Sequence, residues 1–157
     1  MPGYGILRPE EGTGLLPWSW ADERLRRSHD FWLATVWPDG RPHVMPVWGV
    51  WDGSALWFST SNTSRKSRNL LANARCVLTT DNALEPVIVE GAVELVSELP
   101  RIETFVRLLN EKYETDYDTS FQDPAVNRTF FMQPERAFGL TEADFTGSPT
   151  RWTFSAS

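Results

Sequence analysis

The stretch HVMPVWGVWDGSALWFSTSNTSRKSRNL, residues 43–70, decides the fold. It opens inside an apolar run, 41–51, that alternates like a strand but holds Pro42 and Pro46. A proline has no N–H to give to a ladder, so this strand lies at an edge or carries a bulge. Asp52-Gly53 makes a tight turn, and ALWFST, 55–60, returns as the next strand. The period then changes. From Ser64 to Ala74, Ser67, Leu70, Leu71 and Ala74 recur on one helical face, with Asn62, Thr63 or Ser64 as the N-cap.

Working outward, FWLATVW (31–37) and the turn Pro38-Asp39-Gly40 complete a three-strand meander. Upstream, Ser19 predicts the N-cap of a short helix reaching about His29, with Asp22 and Glu23 ahead of Arg24, Arg26 and Arg27 in the charge order a helix dipole favours. Residues 1–16, broken by glycine and proline, read as an arm, and 17–157 as a single domain. Downstream, 75–81 and 85–96 read as strands, the second with a bulge at Gly91. Ser97 and Pro100 open a helix whose Ile102, Phe105, Val106, Leu108, Leu109 and Tyr113 form an apolar stripe. Two late strands, 129–134 and 137–143, and an interrupted tail, 144–154, finish the chain. Many antiparallel strands with helices between them predict an α+β fold, a small closed or partly open barrel with covering helices.

Charge narrows the function. With 21 acids against 15 bases in 157 residues, the net charge is -6, which argues against a nucleic-acid partner. One cysteine, no leader-like apolar run and no membrane-length span predict a cytoplasmic protein. The two histidines, His29 and His43, have no metal-site spacing, and GxxxxGK[ST], GxGxxG and GxSxG are absent. The exception to the acidity lies between Asp52 and Asp81, where Arg65, Lys66, Arg68 and Arg75 stand with no acid. Arg65 and Lys66 occupy the first helical turn, where the exposed N–H groups are already partly positive. With the Ser64 hydroxyl they compose a phosphate or carboxylate site, while Arg68 points away from the core face. Seven of the eight tryptophans lie between positions 18 and 57 and read as packing, except Trp48, a candidate wall for a planar ligand.

The order PDGRP, HVMPVWGVW, WFST, SRKSRNL, RCVLTT and PVIVEGAVELV resembles the flavin-binding split-barrel family of pyridoxamine 5'-phosphate oxidases over about residues 17–154. It is most similar to the branch using FMN or the deazaflavin coenzyme F420. The resemblance implies that the strand Val44, Met45, Pro46, Val47, Trp48 lays backbone against the cofactor ring. It implies that Ser59 and Thr60 bind near the ribityl chain or phosphate, that Ser64, Arg65 and Lys66 grip the phosphate, and that Arg68 is the extra cation a longer anionic tail would use. It also implies a homodimer with the cofactor between subunits, Pro86 reaching the partner's cofactor. The Tyr, Arg and Ser set and the Arg-x-His ending of true pyridoxamine phosphate oxidases are missing, so vitamin B6 oxidation is not implied. The expected activity is hydride transfer to or from a small substrate, with no catalytic side chain assigned. Tyr113, His43 and Arg151 are candidate proton donors or substrate contacts. The alternative is a non-catalytic carrier of a flavin, deazaflavin or tetrapyrrole.

Overall fold

The computed structural model describes residues 5–8, 10, 11 and 14–155. In chain order the elements are α1 (Trp18–Arg27), β1 (Asp30–Val36), β2 (Pro42–Trp51), β3 (Leu56–Ser61), α2 (Arg65–Ala72), β4 (Arg75–Thr80), β5 (Val87–Val96), α3 (Leu99–Tyr113), β6 (Asn127–Gly139) and β7 (Thr150–Thr153). Single 3-10 turns sit at Thr119–Gln122 and Glu142–Asp144. The strands pair antiparallel in the order β3-β2-β1-β4-β5-β6-β7, and β3 also pairs with β6, closing the first six into a barrel that β7 extends. This is the α+β split barrel the sequence predicts.

Strand alternation builds two cores on opposite faces of the wall. Phe31, Leu33, Leu56, Phe58, Leu78, Val89, Phe130 and Met132 fill the barrel, with Ala21 and Leu25 of α1 packed onto them. Val50, Trp57 and Val96 face outward, where α3 covers them with Ile102, Phe105, Val106 and Leu109. Apolar burial on both faces holds α3 to the wall and fixes β2 and β3 between two packed layers.

β2 is where the barrel splits. Its residues 42–48 pair with β1 in continuous register, but β3 joins it only at Gly49, Val50 and Trp51. The seven residues before Gly49 therefore have a free edge. Gly49 turns its N–H toward the β1 side, so alternation turns Pro42, Val44, Pro46 and Trp48 toward that edge. Both prolines thus fall where no ladder hydrogen bond is lost.

Several boundaries differ from expectation. Ser19 lies inside α1; Pro17 holds the cap position without a side-chain bond. The helix face of α2 buries Ser67, Asn69 and Leu70, while Leu71 is exposed, because the barrel mouth meets a polar stripe of the helix. The two late strands are one, β6, which runs through because β5 pairs along nearly all of it. The register shift is at Gly91 as expected, but the extra residue, Glu135, is on β6. A Cβ on Gly91 would lie 2.5 Å from the Gln133 carbonyl oxygen, so only glycine lets the strands close there. The second expected strand stops at Gly139 and gives way to the 3-10 turn Glu142–Asp144, and the tail carries β7. The expected arm, 1–16, lies partly outside the described residues; its described part is tied by Leu7 N–H to the Thr146 carbonyl (3.0 Å) and Leu16 N–H to Thr150 Oγ1 (2.9 Å). No helix of the described residues is long and apolar enough to cross a membrane.

Candidate functional site

The N-terminus of α2 is built by three hydroxyl residues and a turn. Ser64 adopts extended backbone and its Oγ accepts the Ser67 N–H (3.2 Å), making it the N-cap among the three candidates. Thr60, buried at the end of β3, shares a hydrogen bond with the Ser64 hydroxyl (3.1 Å). Arg128 on β6 donates to the Asn62 carbonyl (2.5 Å) and to Ser67 Oγ (2.9 Å), tying the turn to the wall.

Three cations follow and none has an acid. Among the described residues, no ion pair involves Arg65, Lys66 or Arg68. Lys66 is half-buried, and burial alone pushes its ammonium below the usual lysine range. Arg65 lays its guanidinium 3.8 Å from the centre of the Trp37 ring, and Arg41 stands 4.4 Å from the same ring. These contacts orient Arg65 without neutralising it. Arg68 is exposed one turn further on. Positive helix end, capping hydroxyl and uncompensated cations together form a place for a phosphate or carboxylate.

The free edge of β2 is the second part. Val44, Met45 and Trp48 are exposed, Pro46 is exposed between them, and Val47 is buried in the core. Trp48 stacks on Tyr113 with ring centres 4.3 Å apart and planes within 8°. Behind it, Gly49 donates its N–H to Tyr113 Oη (2.9 Å), its carbonyl accepts from Lys112 Nζ (2.5 Å), and Tyr113 Oη donates to the His29 carbonyl (2.6 Å). Tyr113 thus replaces one rung of the β1–β2 ladder. Burial, the largest influence, pushes its phenol up to about 12 and the Lys112 ammonium down to about 8. A Cβ on Gly49 would meet Phe31 Cδ2 at 2.9 Å, so glycine is what lets the strand lie this close to the core.

The structure brings Thr60, Ser64, Arg65 and Lys66 together at one end of the barrel. Ser59 goes the other way: it projects to the opposite face of β3, and its Oγ accepts from Gln122 Nε2 (3.0 Å). Pro86 stands in the β4–β5 connection, beyond the end of β4 that is remote from α2. Of the candidate proton donors, Tyr113 is committed to the Gly49 peptide, and His43 lies beside Thr35 at the barrel mouth. The Trp37–Arg65 contact and the Arg128 brace are missing from the sequence reading, because neither leaves a local pattern. Trp32, like Trp48, is exposed rather than packed.

The fold and the site together, a split barrel with a cationic helix end beside an open strand edge, are those of a split-barrel family. The chain belongs to the pyridoxamine 5'-phosphate oxidase family, whose model matches residues 20–138. Among solved structures, an F420 reductase is 30% identical, with TM-score 0.61 over 74% of this chain and 94% of that one. A conserved hypothetical protein from Mycobacterium tuberculosis has TM-score 0.72 at 21% identity, covering 90% of this chain and 94% of its own. A putative pyridoxamine 5'-phosphate oxidase from Listeria innocua has TM-score 0.61 at 16% identity, covering 75% and 93%. The last two share the fold. No curated protein matches the sequence.

Proposed function

We propose that this protein is an oxidoreductase that binds FMN or coenzyme F420 through its phosphate and exchanges hydride with a small substrate. The observation that carries the reading is the α2 N-terminus, where Arg65 and Lys66 stand in a positive helix end and form no ion pair among the described residues. Ser64 and Lys66 donate to phosphate oxygens, Arg65 adds charge while held by Trp37, and Thr60 fixes the Ser64 hydroxyl. The backbone of Val44 to Trp48 offers unpaired edge groups to a planar ring. When bound, the cofactor supplies the two-electron chemistry, and the protein supplies binding and orientation. A hydride reaction needs no protein nucleophile.

Both cofactors carry a phosphate, so the grip alone does not choose between them. The 30% identity to an F420 reductase favours the deazaflavin, and exposed Arg68 is placed to meet a longer anionic tail. The working unit is a homodimer. Trp32, Val36, Val44, Pro46 and Trp48 leave an apolar patch exposed on β1 and β2, and Pro86, remote from its own α2, would serve the partner's site. Protein purified from its own host is expected to show a flavin or deazaflavin absorption band that is reduced anaerobically and restored by an electron acceptor. A chromophore that no acceptor reoxidises would make the protein a carrier, and protein that binds neither cofactor would end the proposal.

A further inference from the structure

Below α2 lies a short buried chain of polar groups that the phosphate grip does not use. Asn69, fully buried on α2, donates from Nδ2 to Thr35 Oγ1 (3.0 Å), and Thr35 in turn meets His43 Nδ1 (3.4 Å), its direct partner in the β1–β2 register. Asn69 Oδ1 has no hydrogen-bond partner, alone among the buried side-chain polar atoms of the described residues. Such an orphan is costly and asks for an explanation.

The direction of the chain supplies one. Because Asn69 Nδ2 donates to Thr35 Oγ1, the Thr35 proton is free to point at His43 Nδ1. With the Thr35 proton on Nδ1, a neutral His43 carries its own proton on Nε2. If the Asn69 amide turns over, Oδ1 faces the Thr35 hydroxyl, and the chain runs in reverse: charged His43 donates from Nδ1 to Thr35, and Thr35 donates to Asn69. The amide oxygen is then the acceptor for the Thr35 hydroxyl, and Nδ2 takes the unpartnered place. In both states Nε2 carries a proton and is left for something else.

The surroundings say what. The His43 ring is half-buried and packs edge-on against Trp37, centres 6.4 Å apart, and Trp37 is the ring against which Arg65 and Arg41 lie. From α2 the charged groups on this side are Arg65 and Lys66; from the β1–β2 turn, Arg41, already paired with Asp39 (2.9 Å). β1 opposes His43 with neutral Thr35. The charged groups around the ring are thus cations, Asp39 excepted, and the partner they leave for Nε2–H is an anion.

We propose that His43 is a third anion-binding group of this site, held with Nε2–H outward by the buried Thr35–Asn69 pair, and that its protonation tightens anion binding. This rests on the phosphate site at Ser64 to Lys66. The chain has two histidines, so His29, on the far side of β1 against Tyr113, is an internal control.

The test is ring nitrogen NMR of 15N-labelled protein, titrated between about pH 5 and 9 with and without inorganic sulfate, whose charge is constant in that range. The expected result is a neutral His43 carrying its proton on Nε2. Sulfate should raise its midpoint by about half a unit or more, a roughly threefold preference for the charged ring, and leave His29 in place. In Asn69→Leu the Nε2 preference weakens; should that variant not fold, the wild-type tautomer still decides. A neutral ring protonated on Nδ1 overturns the inference. So does a midpoint unmoved by sulfate in a protein whose FMN affinity still depends on Lys66, and that result leaves the phosphate site standing. FMN affinity independent of Lys66 removes the site, and the inference with it.

Discussion

Two helices of this barrel treat their cations in opposite ways. In α1 every arginine has an acid: Arg24 meets Glu85 (2.7 Å), Arg26 meets Asp22 (2.8 Å) and Arg27 meets Glu23 (3.0 Å). Asp22 and Glu23 stand one turn before their arginines in the helix, and Glu85 reaches Arg24 from the β4–β5 connection. In α2 the cations come first, beside the positive helix end, and no acid answers them. Both helices pack on the same barrel, so the fold does not require the second arrangement. A chain with a net charge of -6 had acids to spare for α2. The proposed phosphate site gives that absence a reason.

Removing the cations sharpens the contrast most. Arg65→Ala with Lys66→Ala should weaken cofactor binding by roughly 3 kcal/mol or more, about a hundredfold, as two charge-assisted phosphate contacts are lost. Arg26→Ala with Arg27→Ala in α1 should leave affinity unchanged by calorimetry; equal losses from both pairs would erase the distinction. Ser64→Ala should cost about 1 kcal/mol of stability in denaturant unfolding, through the lost cap, and weaken binding as well. A variant that loses stability but not affinity would make Ser64 structural only.

Lys66 alone gives a smaller effect of opposite sign. Burial holds its ammonium below the ordinary range, so the charged form is disfavoured in the folded protein. Protonating it as pH falls through the unfolded value costs stability, and an anion reverses that penalty. Lys66→Met should therefore leave the cofactor-free protein as stable or slightly more so, while affinity falls. In the wild type, affinity should drop as pH rises through the depressed lysine value, because the unliganded site gives up its proton first. Titrations across the alkaline range in wild type and Lys66→Met check this; identical pH profiles would place the proton elsewhere. The smallest change belongs to Arg68→Ala, expected to weaken F420 by a few tenths to about 1 kcal/mol and leave FMN alone.

What the sequence made legible follows from where the information lies. The meander, the α2 start and the charge anomaly are local patterns, written in proline, glycine and hydroxyl positions within a few residues of one another. Pro42 and Pro46 foretold a loosened edge, and β2 is unpaired on that side until Gly49. Ser59 and Thr60 read as a pair, yet strand alternation sends them to opposite faces, toward Gln122 and toward Ser64. The two late strands merged because pairing with β5, distant in sequence, overrides the break at Glu135 and Arg136. Leu71 reads as core yet is exposed, while Asn69 is buried, because what is covered depends on which face of α2 meets the barrel mouth. The Tyr113 hydroxyl on Gly49, 64 positions away, has no local trace at all.

The central claim is that the α2 helix end is a phosphate site, and comparison of matched ligands tests it most directly. FMN and riboflavin differ only by the phosphate, and F420 and its cut-back deazaflavin chromophore differ by the phosphate together with the anionic tail beyond it. Calorimetric titration of the wild-type protein should show at least one phosphorylated member binding about a hundredfold more tightly than its partner, with the difference collapsing in Arg65→Ala with Lys66→Ala. Equal affinity within each pair, or a preference that survives the double substitution, would contradict it.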